Sequence, residues 1–236
     1  PEQFTVLKVS LYYIIGTLIQ TALALYFATI LSFRVRFKNF FKAVIFFPYL
    51  INGVAIGFIF LLFYRSEGML DVVMQFLGLG THIHKWLGDP HIVNWSIVAA
   101  SIWRYMGFMF VIFYGAISSI PTDIYEAAAI DGASSIQQFG KITLPLVFKA
   151  TMPNLVTSMA ANFNGFGLIY FLTQGGPINT EMQFAGDTDI LISWIYKLTL
   201  NQQMYDIAAV MSVLLFIFVG VVSLWNFRRT TSFKEL

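Results

Sequence analysis

The chain has 236 residues, of which 58% are hydrophobic and only 11% charged, and its mean hydropathy is +0.73. This composition excludes a soluble globular protein and indicates an integral membrane protein. The formal net charge of +2, with no dense run of Lys or Arg, argues against a nucleic-acid surface. The absence of cysteine excludes disulfides, thiol catalysis and thiolate metal sites.

Five segments are long and apolar enough to cross the hydrocarbon core as helices, which takes about 20 residues each. They are roughly residues 6–32, 43–64, 92–120, 150–172 and 205–227. No alternating pattern over ten-residue strands indicates a barrel, so the predicted fold is all-α, a polytopic helical bundle that forms one transmembrane domain over residues 1–236. Because the chain begins at Pro1 rather than at a methionine, we expect one or more further spans upstream.

Basic residues are distributed unevenly between the two ends of the predicted spans. One side holds four of them, Lys8, Arg65, Lys85 and Lys197, and the other holds nine. The nine are Arg34, Arg36, Lys38, Lys42, Lys141, Lys149, Arg228, Arg229 and Lys234. By the positive-inside rule the side with nine faces the cytoplasm, so the loop over residues 121–149 is predicted to be cytoplasmic.

The outer connections contain apolar residues at helical spacing. Residues 65–90 predict a short interfacial helix that ends at Gly78 and Gly80. Residues 187–200 predict another, with Asp187 or Asp189 as N-cap. Such helices either cap the bundle or dock a partner, and the pattern does not choose between the two. The three histidines in or beside this outer region have no metal-site spacing, and no metal is predicted; they are His82, His84 and His91.

The loop over residues 121–149, predicted to be cytoplasmic, interrupts the apolar pattern. Pro121, with acids in the following turn, predicts a helix start, and Gly132 predicts its end. Ser134 with Gln137 has capping-box spacing and predicts a second helix that continues until Pro145 breaks or kinks it. The first helix contains three consecutive alanines, which either permit close approach of another protein or simply favour helix formation.

The sequence "EAAAIDGASSIQQFGKITLP" resembles the EAA loop of bacterial binding-protein-dependent ABC importer permeases. The segments "NFNGFGLIYFLTQGGP" and "AGDTDILISWIYKLT" resemble the maltose/maltodextrin-type permease of the larger-partner kind. One departure is Lys149, where members of the family often have a further proline. The resemblance implies a type I ABC importer permease fold in a bacterial cytoplasmic membrane. It also implies that the EAA loop couples to an ATPase through Glu126, Ala127, Ala128, Asp131 and Gly132, and residues 121–149 are therefore called the coupling loop.

The partners implied by the resemblance are a second homologous permease subunit, two cytoplasmic ATP-binding subunits and an extracytoplasmic sugar-binding protein. This chain is not expected to hydrolyse ATP. The segment "GASSIQQFGK" fails the phosphate-loop pattern, which needs glycine at Ser135 and a hydroxyl residue at Ile142. ATP-Mg would therefore be used by the partner subunits, and no cofactor is expected on this chain.

Polar and aromatic residues follow two stripes within the predicted spans. One comprises Ser101, Tyr105 and Phe108, and the other comprises Ser158, Asn162 and Gly165. Neutral polar groups beside aromatic rings suit a hydroxyl-rich sugar, but the same groups also join helices by hydrogen bonds. The resemblance implies that these stripes line the sugar cavity, although relatives can carry a larger amide at the position of Gly165, which puts the specific sugar in doubt.

Arg104 is a lone cation in the middle of a predicted span, where it needs a structural partner or a substrate contact. The sequence favours a structural partner. Alternative functions are a permease for another sugar class, such as raffinose-like or mixed oligosaccharides, or a secondary transporter. A secondary transporter is disfavoured because the span interiors lack acids, apart from Asp206 at an outer edge. An intramembrane enzyme is disfavoured because no constellation of catalytic side chains occurs at one depth.

Overall fold

The computed structural model describes residues 2–33, 35–162, 166–178 and 185–229, without the side chains of residues 2–5, 156, 159–162, 222 and 225–229. Within these ranges the chain is almost entirely helical, and the single β-type pairing is a bridge between Ile178 and Gly186. The predicted all-α class is confirmed. The α-helices in chain order are α1 (Glu2–Ser32), α2 (Lys38–Leu50), α3 (Gly53–Tyr64), α4 (Met69–Phe76), α5 (Val93–Ser118), α6 (Thr122–Ile130), α7 (Ser135–Gln138), α8 (Leu144–Asn162), α9 (Phe166–Thr173), α10 (Leu191–Tyr196) and α11 (Tyr205–Arg229).

Helices α1 and α5 are long and apolar enough, each on its own, to span a membrane, over Val6–Ser32 and Val93–Ser118. They coincide with the first and third predicted spans. Helix α11 falls in the fifth predicted span, and its fully described apolar stretch is Tyr205–Val221. The fourth predicted span contains α8 and α9, and residues 163–165 between them lie outside the described residues.

The second predicted span, residues 43–64, consists of two helices, α2 and α3, bent by 99° at the break between them. Pro48 lies inside α2 and cannot donate a backbone hydrogen bond, and the helix ends two residues later. The side chain of Asn52 then accepts a hydrogen bond from the amide of Val54 at 2.8 Å and caps α3. Apolar composition identified this segment, whereas its local backbone chemistry divides it.

The described residues form two compact units, each with its own core. The first contains the described parts of residues 1–17, 51–102 and 158–236, and the second contains residues 18–50 and 103–157. In the first unit, buried Ile56, Ile97 and Ile169 lie in one cluster, and Trp194 and Leu198 lie in another. The core of the second unit is built largely of buried aromatic, aliphatic and alanine side chains of α1, α5 and α8.

Glycine permits close helix contacts in both units. In the second unit, a Cβ atom added at Gly107 of α5 would overlap the backbone of α2, including the Cα of Phe46 at 2.8 Å. In the first unit, a Cβ at Gly57 of α3 would overlap the side chain of Phe171 in α9. Small residues allow membrane helices to approach closely, and here the absence of a side chain sets the contact distance.

Both predicted outer helices are present. Helix α4 is followed by Gly78 in a left-handed conformation with φ of 75°, as expected for a helix stop. Helix α10 begins at Leu191, directly after Ile190, and continues into a π-helical turn over Lys197–Asn201. The predicted N-cap by Asp187 or Asp189 is not what the structure shows, since the carboxylate of Asp189 is used in a buried network described below.

Candidate functional site

The coupling loop begins with an exposed helix that ends in a specific glycine turn. Helix α6 follows Pro121 and ends where Gly132 adopts a φ of 80°. The amide of Gly132 donates to the carbonyl of Ala129 at 3.1 Å, and the amide of Ala133 donates to the carbonyl of Ala128 at 2.9 Å. These two bonds form a Schellman motif, which closes the helix end and needs a residue that tolerates positive φ. The predicted stop at Gly132 is confirmed with its mechanism.

The second helix of the coupling loop starts with the predicted capping box. The hydroxyl of Ser134 accepts from the amide of Gln137 at 3.4 Å, and the Gln137 side chain accepts from the amide of Ser134 at 2.8 Å. Helix α7 is only one turn long and leads into a π-helical turn over Phe139–Thr143. Pro145 then lies in the first turn of α8, where its missing amide is tolerated, so the departure from α-helical geometry falls just before the proline rather than at it.

Two side-chain hydrogen bonds hold this loop in shape. The hydroxyls of Tyr125 and Thr143 are hydrogen-bonded at 2.9 Å and join α6 to the π-helical turn. The side-chain amide of Gln138 donates to the carbonyl of Ala133 at 3.2 Å and closes the turn between the two helices. Behind them is a cavity of about 350 Å³, lined by several hydroxyl side chains and by Phe33 of the segment after α1. The loop therefore has a defined shape of its own.

The outer surface of the coupling loop combines acids, small residues and exposed isoleucines. Of the predicted coupling residues, Ala128 is half-buried and the others are exposed; they are Glu126, Ala127, Asp131 and Gly132. Sequence reasoning missed Ile130 and Ile136, whose side chains are 87% and 84% exposed. Apolar side chains this exposed on a polar loop are typical of a surface that another protein covers. The sequence contained a signal for this surface, since the two isoleucines stand on either side of a polar turn.

The residues of the two predicted ligand stripes are placed only in part. In the first unit, Ser101 and Ser158 are half-buried, whereas the Asn162 side chain and Gly165 lie outside what the structure describes. In the second unit, Tyr105 and Phe108 are 36% and 37% exposed. Because these residues fall in separate units, no joint site is described for them.

An aromatic pair was missed by the sequence reasoning. The ring of Tyr49 in α2 stacks on that of Phe108 in α5, with centroids 5.0 Å apart and planes 25° from parallel. Both rings remain about one third exposed. Tyr49 lies three residues before Asn52, the N-cap of α3, in a segment that the sequence reasoning treated only as apolar. Exposed aromatic faces of this kind suit the C–H face of a sugar ring.

Arg104 is half-buried within α5 and has an aromatic partner rather than an acidic one. Its guanidinium carbon lies 4.8 Å from the centroid of the Tyr105 ring, a cation–π geometry. Its Nε atom is buried and, within the described residues, makes no hydrogen bond. No carboxylate lies within ion-pair distance of Arg104 in the described part of the chain, and a structural role for this cation stays a prediction.

A buried carboxylate organises the outer segment after α9. Asp189 is fully buried and accepts from Lys197 at 2.6 Å, from the Ser193 hydroxyl at 2.8 Å and from the Gly186 amide at 2.7 Å. Burial raises the pKa of Asp189 above its usual range, although these three donors favour the carboxylate. The network joins the loop before α10 to the turn after it.

Comparisons with known proteins agree with this geometry. A family model described as "Binding-protein-dependent transport system inner membrane component" matches residues 20–232. The galactooligosaccharides transport system permease protein GanP of Bacillus subtilis is 40% identical over 223 residues, which cover 92% of this chain and 52% of GanP. The maltose/maltodextrin transport system permease protein MalF of Vibrio vulnificus is 32% identical over 225 residues, covering 92% of this chain and 42% of MalF. The chain thus spans about half the length of these relatives.

A solved structure has a similar fold. The crystal structure of a bacterial ABC transporter involved in the import of the acidic polysaccharide alginate matches with a TM-score of 0.77. It is 23% identical and the match covers 98% of this chain and 78% of that chain. At this identity the match supports the fold alone.

Proposed function

Because this chain belongs to the family of binding-protein-dependent transport system inner membrane components, we propose that it is a permease subunit of an ATP-driven ABC importer for oligosaccharides. In this proposal it forms half of the translocation path and transmits the motion of separate ATPase subunits to that path. It carries out no covalent chemistry of its own. The proposed partners are a second homologous permease subunit, two cytoplasmic ATP-binding subunits and an extracytoplasmic binding protein.

The observation that carries the proposal is the coupling loop. Its two helices have a fixed relation through the Schellman turn at Gly132 and the contact between Tyr125 and Thr143. Its tips present Ile130 and Ile136 almost fully exposed. A rigid element with apolar tips can be held by a second protein and moved as a body, which is how closure of an ATPase dimer would bias two states of the path.

The proposed substrate class is a maltose/maltodextrin-like sugar, with other oligosaccharides as the alternative. Support comes from the relatives, since MalF is a maltose/maltodextrin permease and GanP, at higher identity, is a galactooligosaccharide permease. The proposed ligand residues are those of the two stripes, together with Tyr49 beside Phe108. Stacked, partly exposed aromatic rings offer flat apolar faces, which fit the C–H face of a sugar better than an ion.

The test is purification of the chain with the subunits that assemble with it, in lipid nanodiscs, followed by measurement of ATP hydrolysis. The binding protein and a panel of glucose- and galactose-based oligosaccharides are then added one at a time. We expect hydrolysis to rise with one sugar class only. Hydrolysis that responds to no sugar, or a preparation without any ATPase subunit, would contradict the proposal.

A charge reversal, Glu126→Lys, tests the coupling loop within the same preparation. Glu126 is exposed, so membrane insertion should be unchanged. We expect the ATPase subunits to be lost from the purified complex and uptake to disappear. Asp123→Lys, on the first turn of the same helix, is the matched control for a change of charge. Equal loss from both variants would point to a general electrostatic effect, and normal uptake by Glu126→Lys would count against docking.

A further inference from the structure

Helix α4 buries its one acidic side chain and exposes apolar ones. Asp71 points inward and is buried at 4% exposure, and Met74 beside it is half-buried. On the opposite side, separated by helical spacing, lie four exposed apolar side chains. They are Met69, Val72, Val73 and Phe76, and Phe76 is 89% exposed.

The inward carboxylate accepts two hydrogen bonds, and two further bonds connect its partner Trp86 to α5 and α3. Asp71 accepts from the indole N–H of Trp86 at 2.7 Å and from the amide of Glu67 at 2.8 Å. The hydroxyl of Ser96 donates to the carbonyl of Trp86 at 2.9 Å, and the hydroxyl of Tyr64 donates to the carbonyl of Ser96 at 3.0 Å. The ends of α3 and α5 therefore hold Trp86, and Trp86 holds α4; turning α4 over would break the bond between Asp71 and the Trp86 indole.

We propose that the apolar face of α4, formed by Met69, Val72, Val73 and Phe76, lies in lipid at the outer surface of the membrane. This face comes four residues after α3, which also exposes apolar side chains and forms a bent apolar helix pair with α2. Exposed cations stand on either side of it in the sequence, at Arg65 and Lys85, as is usual where a helix lies among lipid headgroups.

The lipid is favoured over a docked soluble protein by the composition of the face. It contains no polar side chain, and a binding protein that leaves after each delivery would expose it to water in every cycle. That argument rests on the proposed function. The placement of the face in lipid depends only on two inferences: that the chain lies in a membrane, and that its basic residues mark the cytoplasmic side. Its test is therefore independent of transport.

The chain has no cysteine, which allows single spin labels to report the surroundings of α4. Phe76→Cys and Val72→Cys place labels on the apolar face, and Gln75→Cys places a matched label on an exposed flank of the same helix. The assembled protein is studied in lipid nanodiscs with cysteine-free partner subunits. Accessibility is measured to oxygen, which concentrates in lipid, and to a water-soluble nickel chelate.

At positions 72 and 76 we expect high accessibility to oxygen and several-fold lower accessibility to the nickel chelate. At position 75 we expect the opposite ratio. High nickel accessibility at 72 and 76 would show a water-facing helix and overturn the proposal. Low accessibility to both reagents would show that a protein subunit covers the face, and would overturn it as well. Because the measurement needs no sugar and no ATP, it can fail while the proposed function stands.

Discussion

Replacement of Gly132 tests whether the coupling loop works through its backbone geometry. Gly132 has a φ of 80°, and a Cβ atom there would meet no atom within 4 Å. The cost of Gly132→Ala is therefore conformational and not steric, about 1–2 kcal/mol for an L-residue in the left-handed region. If this cost destabilises the loop conformation that docks on the ATPase, the fraction of molecules in that conformation drops by up to about 5- to 30-fold.

The expected order across a substitution series follows from the same geometry. Gly132→Asn should be milder than Gly132→Ala, because asparagine tolerates the left-handed region better. Gly132→Pro should be the most severe, since proline is held near a φ of −65° and lacks the amide that donates to Ala129. Gly140→Ala is the control, because Gly140 is an exposed loop glycine without positive φ and with open space around its Cα.

The assay is the amount of ATPase subunit retained on the purified chain over a range of ATPase concentrations, with sugar uptake in cells as a second readout. Membrane insertion of each variant is checked by its amount in the membrane fraction. An apparent affinity ranked Gly, Asn, Ala, Pro supports the reasoning. If Gly132→Ala binds the ATPase as well as Gly140→Ala does, or if Gly132→Asn binds it more weakly than Gly132→Ala does, the ATPase does not recognise the geometry of this turn.

Three further predictions concern the two units. Gly107→Ala should destabilise the protein by about 1–3 kcal/mol, because the added Cβ overlaps the backbone of α2. Gly115→Ala, on the same helix, is the control and should be neutral, because its added Cβ meets open space. Thermal unfolding in detergent measures both variants. Asp189→Asn should lower thermal stability by about 2 kcal/mol or more through loss of the ion pair with Lys197, with little effect on retention of the ATPase; equal stability would show that the network is not structural. Asn162→Leu should lower sugar uptake while the complex stays intact, and unchanged uptake would favour a role for Asn162 in joining helices.

Local patterns in the chain were sufficient for several elements. The capping box at Ser134 and the helix stop at Gly132 were predicted, because each depends on residues only a few positions apart. Helix α4 was predicted from apolar spacing and its stop from glycine. The break between α2 and α3 was missed, because a rule that counts apolar residues does not weigh Pro48 and Asn52, although both signals were present in the sequence.

Contacts between distant residues were not predictable in this way. The stacking of Tyr49 on Phe108 and the bond between Tyr125 and Thr143 each depend on which helices pack together. The predicted N-cap at Asp189 was wrong, because Asp189 is buried and its carboxylate accepts a hydrogen bond from Lys197, eight residues away. A single sequence contains the residues but not their separations in space.

The sequence by itself determined that the chain is helical, that it belongs in a membrane, and where the coupling loop turns, because backbone capping and the transfer of apolar residues out of water act on short segments independently of their neighbours. Only the tertiary structure decided which face of α4 turns outward, which glycines sit against another helix, and which donors satisfy the buried carboxylates of Asp71 and Asp189. Those choices follow from packing, where a buried polar group takes whichever partner the assembled helices bring within hydrogen-bond distance.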